Sequence, residues 1–268
     1  MSHKRLVRFG LPALSVSLLA ALLGVALGPA RSTQAAVVDG GKGPQLLIGR
    51  DDDNIFNADI QAGAGTDQSL ARTDIIEGGQ GNDVIFGFNG NDVIDGGPGS
   101  DIILGGPDGG PAPGGPPNSD IMFGGPGDDV NLWAPGDGSE AFLGGPGLDA
   151  IVFGATDRET TGIRLPSLKF GVAGFPQGIP TADVSGLPQH CTVERSPLPG
   201  FDYLVRFRGP AENIIVTVRL AGVEQVFCPS KDGPGIAFAD LTSPSPVFVD
   251  VSQPEVEALN PLVAAMIR

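Results

Sequence analysis

The stretch GGQGNDVIF (78–86), GFNGNDVID (87–95), GGPGSDIIL (96–104) decides the fold. It is three consecutive nonapeptides of the form G-[GF]-x-G-x-D-[VI]-I-x, in unbroken register. Asp83, Asp92 and Asp101 fall on the period, and Asp74 continues it one step upstream. A short fixed period marks a stacked architecture in which each unit leans only on its neighbours. The first six positions are turn chemistry. Gly78, Gly79 and Gly81, then Gly87 and Gly90, then Gly96, Gly97 and Gly99 allow the positive φ and close backbone approach that a tight turn needs. The last three positions form a short strand. Its middle residue (Ile85, Ile94 or Ile103) points one way and its neighbours the other. One such unit buries nothing alone, whereas stacked units join these residues into an apolar rib between two sheets.

Working outward, the array continues less cleanly. Asp120-Ile121-Met122-Phe123 ends a nonapeptide that starts at Gly105, with an insertion rich in Gly and Pro inside its turn. GGPGDDVNL (124–132) returns to register, with Gly124, Gly125, Gly127 and Asp129 in place. Its middle strand position is Asn131, so this rung is expected to pack abnormally. WAPGDGSEAFL (133–143) is too long and sets Glu140 at the Asp position, while GGPGLDAIV (144–152) restores Gly144, Gly145, Gly147 and Asp149. Upstream, Asp51–Phe56 reads as a degenerate first repeat with Asp53 at the ligand position, and AGAGTD (62–67) as another turn. This gives about nine repeats.

These units resemble the calcium-binding nonapeptide of the RTX (haemolysin-type) family. The resemblance implies an all-β fold: a parallel β-roll, a calcium-stabilised solenoid, over residues 48–154, followed by a small β-rich C-terminal region. One coil takes two nonapeptides, so Asp83 and Asp101 would share one edge, and Asp74 and Asp92 the other. Several Ca²⁺ ions would sit between successive turns, held by the Asp carboxylates, Glu140 and turn carbonyls. Calcium takes six to eight hard oxygen ligands, and both groups qualify. Other readings of the stretch fail. A flexible linker has no phased Asp and Ile. Collagen needs glycine at every third residue. An EF-hand loop needs Glu at its twelfth place.

Charge agrees with the motif. The chain carries 31 acidic and 16 basic residues, a net charge of −15. Within 49–154 there are 18 acids against Arg50 and Arg72. A compact stack so charged repels itself, and divalent cations at the turns would relieve it. The repeat region is therefore expected to order on binding metal. So acidic a chain is a poor partner for nucleic acid.

Residues 1–35 read as a secretory signal peptide: Lys4, Arg5 and Arg8, an apolar run Leu11–Leu27, and Thr33-Gln34-Ala35 before the expected cut. An uncleaved anchor is the alternative. Residues 36–47 read as a linker. Export places the protein where calcium is plentiful and affinities of about 10⁻⁴–10⁻³ M suffice. An N-terminal route departs from the one-step exporter, reading a C-terminal signal, that many RTX proteins use. The two cysteines, Cys191 and Cys228, are expected to form a disulfide in an exported chain, with two buried thiols as the alternative.

From residue 155 the composition changes and glycine thins out. Residues 201–208 read as a strand with Tyr203, Val205 and Phe207 on one face. Residues 213–220 alternate Ile214, Val216, Val218 and Leu220 against polar or outward neighbours, with a turn at 209–212, so a hairpin is expected. Residues 246–251 read as a strand and 255–267 as a helix interrupted at Pro261. The segment 155–268 reads as a β-rich domain of unknown function. Leu220–Val226 resembles an element found between blocks of such repeats, which leaves open that the region continues the roll.

Catalytic modules of RTX proteins precede the repeats, and residues 36–48 are too few to hold one. One histidine, His190, follows the signal segment, which is too little for a two-histidine zinc site and a poor start for a Ser-His-Asp triad. His190 beside Cys191 allows a thiol nucleophile, but a surface histidine next to a disulfide is the plainer reading. The expectation is a non-enzymatic, secreted calcium-binding protein with a structural, adhesive or surface role and no membrane insertion. The alternative is an enzyme with its active site in 155–268.

Overall fold

The computed structural model describes residues 74–87, 92–106, 120–156, 168–185 and 188–268, and the backbone of three short strands upstream. Residues 1–35, read as a signal peptide, Asp53, residues 62–67, read as a turn, and Gly90 lie outside the described residues. Residues 35–268 form one compact unit.

The repeats fold as the period requires. Strands β1 (Val38–Asp39), β3 (Ile55–Asn57), β5 (Val84–Phe86), β7 (Ile102–Leu104), β9 (Val130–Trp133) and β11 (Ala150–Phe153) pair in parallel in sheet one. Strands β2 (Gln45–Ile48), β4 (Asp74–Glu77), β6 (Val93–Asp95), β8 (Ile121–Phe123) and β10 (Ala141–Leu143) do the same in sheet two. Consecutive strands thus alternate between sheets, two nonapeptides to a coil: a parallel β-roll. The pairing of β1 and β2 reaches into 36–47, the segment read as a linker. Gln45-Leu46-Leu47-Ile48 is a strand that follows Gly40-Gly41-Lys42-Gly43-Pro44, the glycine spacing of a repeat with Gln45 in the place of the aspartate.

The middle residues of the strands stack into two facing ribs. In sheet one, Ile85, Ile103, Asn131 and Ile151 are successive partners. In sheet two, Ile76, Ile94, Met122 and Phe142 are. All are fully buried. The Asn131 rung is regular, contrary to expectation: β9 stays in register with β11. The Asn131 amide donates to Ile103 O at 3.3 Å and contacts Met122 Sδ at 3.0 Å. Backbone pairing on both sides holds the strand whatever its middle side chain is.

After β11 the chain leaves the roll. It forms two small antiparallel pairs, β12 (Ala155–Thr156) with β15 (Ala182–Asp183) and β13 (Leu168–Lys169) with β14 (Ile179–Pro180). It then runs through β16 (His190–Arg195) and β17 (Tyr203–Arg208), which are antiparallel. The expected hairpin follows, β17 with β18 (Ile214–Ala221). Tyr203, Val205, Phe207, Val216, Val218 and Leu220 all face the interior core. Ile214 does not, because the register shifts at Phe207/Arg208 and leaves it exposed.

The chain then re-enters the roll. β18 lies parallel to β10, pairing Phe142 with Leu220, and β19 (Gln225–Pro229) lies parallel to β11, pairing Ile151 with Val226. Leu220–Val226 is therefore one more coil, and both ribs continue through it. Antiparallel strands finish each sheet: β17 and β16 in sheet two, β20 (Ile236–Asp240) and β21 (Val249–Val251) in sheet one. The expected terminal helix is two, α1 (Gln253–Leu259) and α2 (Pro261–Met266), divided at Asn260, whose Oδ1 accepts the Val263 amide.

The Cys191–Cys228 disulfide is present. It ties the strand before the hairpin to the strand after it. Cys191 belongs to β16 of sheet two and Cys228 to β19 of sheet one, so the bond crosses the core, with the Cα atoms 6.1 Å apart. A second core covers the outer face of sheet one. There Val84, Phe86, Ile102, Leu104, Val130 and Leu132 meet Phe175, Ile179 and both helices. The rungs β5, β7 and β11 are apolar at every strand position, and β9 at every position but Asn131, and both faces of these strands are buried.

Candidate metal centre

The turns fall on two edges. Turns 78–83, 96–101, 124–129 and 144–149 lead into sheet one and carry Asp83, Asp101, Asp129 and Asp149. Turns ending at Asp92, Asp120 and Glu140 lead into sheet two. The edges are thus shared as expected, with Glu140 in file with Asp92 and Asp120. Asp74 opens β4 of sheet two, which puts it on the second edge. The connections longer than a repeat turn all lead from sheet one into sheet two: β3 to β4, β7 to β8, β9 to β10 and β11 to β18. Among the described turns the first edge carries no insertion.

Along the first edge the carboxylates form a ladder. Asp101 Oδ1 accepts the Asp83 amide at 2.7 Å, Asp129 Oδ1 accepts from Asp101 at 2.7 Å, and Asp149 Oδ1 accepts from Asp129 at 2.9 Å. Glu224 Oε2 ends the file by accepting from Asp149 at 2.8 Å. The second edge has the same rung, Asp120 Oδ1 accepting the Asp92 amide at 2.7 Å. Asp83, Asp92, Asp101, Asp120, Asp129, Glu140 and Asp149 are all buried. Sequence reading noticed Gly222-Val223-Glu224 but gave Glu224 no role. Its signal is a Gly–Glu pair between two apolar alternations.

The glycines make this possible. The first glycine of each turn lies under its own carboxylate. A Cβ on Gly96 would stand 2.4 Å from Asp101 Oδ2 and 2.7 Å from Gly124 O, and one on Gly124 would stand 2.4 Å from Asp129 Oδ2. Gly78, Gly87 and Gly144 sit in the same way under Asp83, Asp92 and Asp149. The later glycines stack coil on coil, Gly97 on Gly79, Gly125 on Gly97, Gly145 on Gly125, and likewise Gly99 on Gly81, Gly127 on Gly99 and Gly147 on Gly127.

Such an array suits a hard cation. Asp129 Oδ2 and Asp149 Oδ2 are buried without a hydrogen-bond partner, an arrangement that costs free energy unless something positive satisfies it. Burial, reinforced by the charges of Asp101, Asp149 and Asp128, pushes Asp129 up to about 9 against the lowering effect of its bond to the Asp101 amide. Burial, with Glu224 and Asp128 nearby, pushes Asp149 up to about 7. Among the described residues no three His, Cys, Asp or Glu side chains converge on one point. An ion here would draw on backbone carbonyls as well as carboxylates, as calcium readily does. The donor set is all oxygen, which excludes a zinc-type site of nitrogen and sulfur ligands.

Comparison with known families agrees. Residues 70–103 match the family model for the RTX calcium-binding nonapeptide repeat (4 copies). No curated protein and no solved structure matches the chain. The matched stretch contains Asp74, Asp83, Asp92 and Asp101. The chain carries RTX repeats and is a calcium-binding protein.

Proposed function

We propose that this chain, built on RTX repeats, is an exported protein that binds several calcium ions along both turn edges and orders its roll on binding them, to serve a structural or adhesive role at a surface or in a matrix. The observation that carries the reading is the first-edge file of buried carboxylates, with Asp129 Oδ2 and Asp149 Oδ2 unpartnered inside a stack of turns. Asp83, Asp101, Asp129 and Asp149 would hold ions on that edge, and Asp92, Asp120 and Glu140 on the other. Bound calcium would neutralise like charges that otherwise oppose stacking.

Export is supported by the pattern of residues 1–35 and by the disulfide, which persists in oxidising compartments. A surface partner is supported by the outer face of sheet two, where Ile121 and Ile215 are exposed. Among the described residues no helix is long and apolar enough to cross a membrane. The non-enzymatic reading is supported by Cys191, which is held in the disulfide and is no free thiol, and by His190, whose Nε2 faces Glu212 Oε2 at 3.4 Å.

Far-UV circular dichroism of the full chain, with calcium chelated and then restored, tests the reading. Loss and recovery of β-structure is expected. A spectrum indifferent to calcium, with no heat of binding by calorimetry, would sink it.

A further inference from the structure

The last turn of the roll is not a nonapeptide. β18 ends at Ala221 and β19 begins at Gln225, so Gly222-Val223-Glu224 alone crosses between the sheets. It still repeats the bonds of a repeat turn. Gly144 donates to Ala221 O at 3.0 Å and Gly145 to Gly222 O at 3.3 Å. One coil earlier, Gly124 donates to Leu143 O and Gly125 to Gly144 O, both at 2.9 Å. Gly222 takes a positive φ of 58°, as Gly145 and Gly125 do at 114° and 108°. Glu224 also takes the place of the next aspartate, accepting the Asp149 amide. The turn is shorter than those before it, and the Glu224 backbone amide itself donates to Asp149 O at 3.0 Å.

Two oxygens converge beneath this turn. A Cβ on Gly144 would stand 2.3 Å from Gly222 O and 2.5 Å from Asp149 Oδ2, so only glycine leaves that space open. Asp149 is fully buried, its Oδ1 is used by the Asp129 amide, and its Oδ2 has no partner. The orphaned oxygen thus points to where the repeat pattern has already ended.

We propose that a calcium ion binds between turn 144–149 and turn 222–224, with Asp149 and Glu224 as its side-chain ligands and turn carbonyls, Gly222 O among them, completing the shell. This rests on the reading that the repeat turns bind calcium. Glu224 lies 75 residues beyond Asp149. The ion therefore fastens the returning chain, and with it the antiparallel strands that close both sheets, to the repeat array. Calcium then governs the end of the roll as well as its repeats.

Calcium stoichiometry by calorimetry on the full chain, wild type against Glu224→Gln, is the test. The glutamine keeps an oxygen to accept the Asp149 amide and removes the charge. The variant is expected to bind one ion fewer and to keep its near-UV dichroism at saturating calcium. An equal number of ions bound with equal affinity overturns this site alone, whereas a wild type that binds none overturns the parent reading with it. Should the variant fail to fold, wild-type crystals grown in calcium decide. An anomalous peak between Asp149 and Glu224 is expected. Peaks at the upstream turns with none here would overturn the site.

Discussion

Asp129 Oδ1 accepts the backbone amide of Asp101 at 2.7 Å while Oδ2 of the same carboxylate is buried with no partner. Half of the group is satisfied by the stack and half is left for a cation or a proton. Asp129 and Asp149 are raised from the ordinary 3.8 to about 9 and about 7. The calcium-free fold therefore holds protons that the unfolded chain has released above about pH 4. Stability of the calcium-free roll falls as pH rises from about 4 through these values, by about 1.4 kcal/mol per pH unit for each proton retained. Calcium needs the ionised form, so its apparent affinity rises over the same range, with protons released on binding. Calorimetry at pH 6, 7 and 8 in buffers of different ionisation enthalpy reads this directly. Affinity that is flat with pH, with no proton release, would count against it.

A glycine in the ladder differs from a glycine that is merely left-handed. Gly127 has φ +148° and a Cβ there would stand 1.6 Å from Gly99 O, whereas Gly200 has φ +86° and nothing within 4 Å. Gly127→Ala must push two coils apart, at more than about 3 kcal/mol, and should weaken calcium binding. Gly200→Ala costs only backbone strain, about 1–2 kcal/mol, and should leave calcium binding unchanged. Denaturant midpoints and calcium titrations of the two variants separate crowding from conformation, and equal losses would refute the distinction.

The roll was legible in the sequence because its period repeats a local rule: Gly-rich turn, Asp, apolar middle residue. Nothing non-local is needed to read Asp83, Asp101 and Asp129 onto one edge. The last coil was only half legible. Leu220 and Val226 continue the ribs, but their turn has lost the GGxGxD spacing, and their partners Phe142 and Ile151 are fixed by a return from a long excursion. β16 was missed because His190-Cys191-Thr192-Val193-Glu194-Arg195 sets few apolar residues in alternation. The covered face of sheet one is less legible because the repeat pattern fixes only the middle strand position. Phe86, Leu104 and Leu132 at the last position already marked it.

Asn131 is the one polar residue in its rib, and its Oδ1 is buried without a partner. Its neighbours Ile103 and Ile151 show what the site accommodates. Asn131→Val removes the buried polar group and suits the strand, with an expected gain of about 1–2 kcal/mol. Thermal unfolding in saturating calcium should move to higher temperature. A lower midpoint would mean that the contacts with Ile103 O and Met122 Sδ outweigh the orphaned oxygen.

The disulfide joins strands of opposite sheets at the end of the roll. Replacing both cysteines, Cys191→Ala with Cys228→Ala, should lower stability in calcium by about 2–4 kcal/mol, chiefly by freeing the unfolded chain. The binding turns lie on the sheet edges, so the number of ions bound should not change. Equilibrium denaturation paired with calorimetry checks both halves. An unchanged denaturation midpoint, or a lost ion, would overturn the prediction.

Residues 155–268, produced alone, are expected not to fold cooperatively. β18 and β19 pair with β10 and β11, and Leu220 and Val226 belong to ribs whose other members precede residue 155. The fragment would carry the apolar side of Phe175, Ile179, Val256 and Val263 without the sheet-one face they cover. The dependence runs both ways. A chain ending at 154 bares Val84, Phe86, Ile102, Leu104, Val130 and Leu132, a patch that promotes association. Thermal melts of the fragment and dye binding by the truncated roll measure each side. A sharp, reversible melt of 155–268 in isolation would show that its strands need nothing from the roll, and would contradict the shared-rib packing on which the prediction rests.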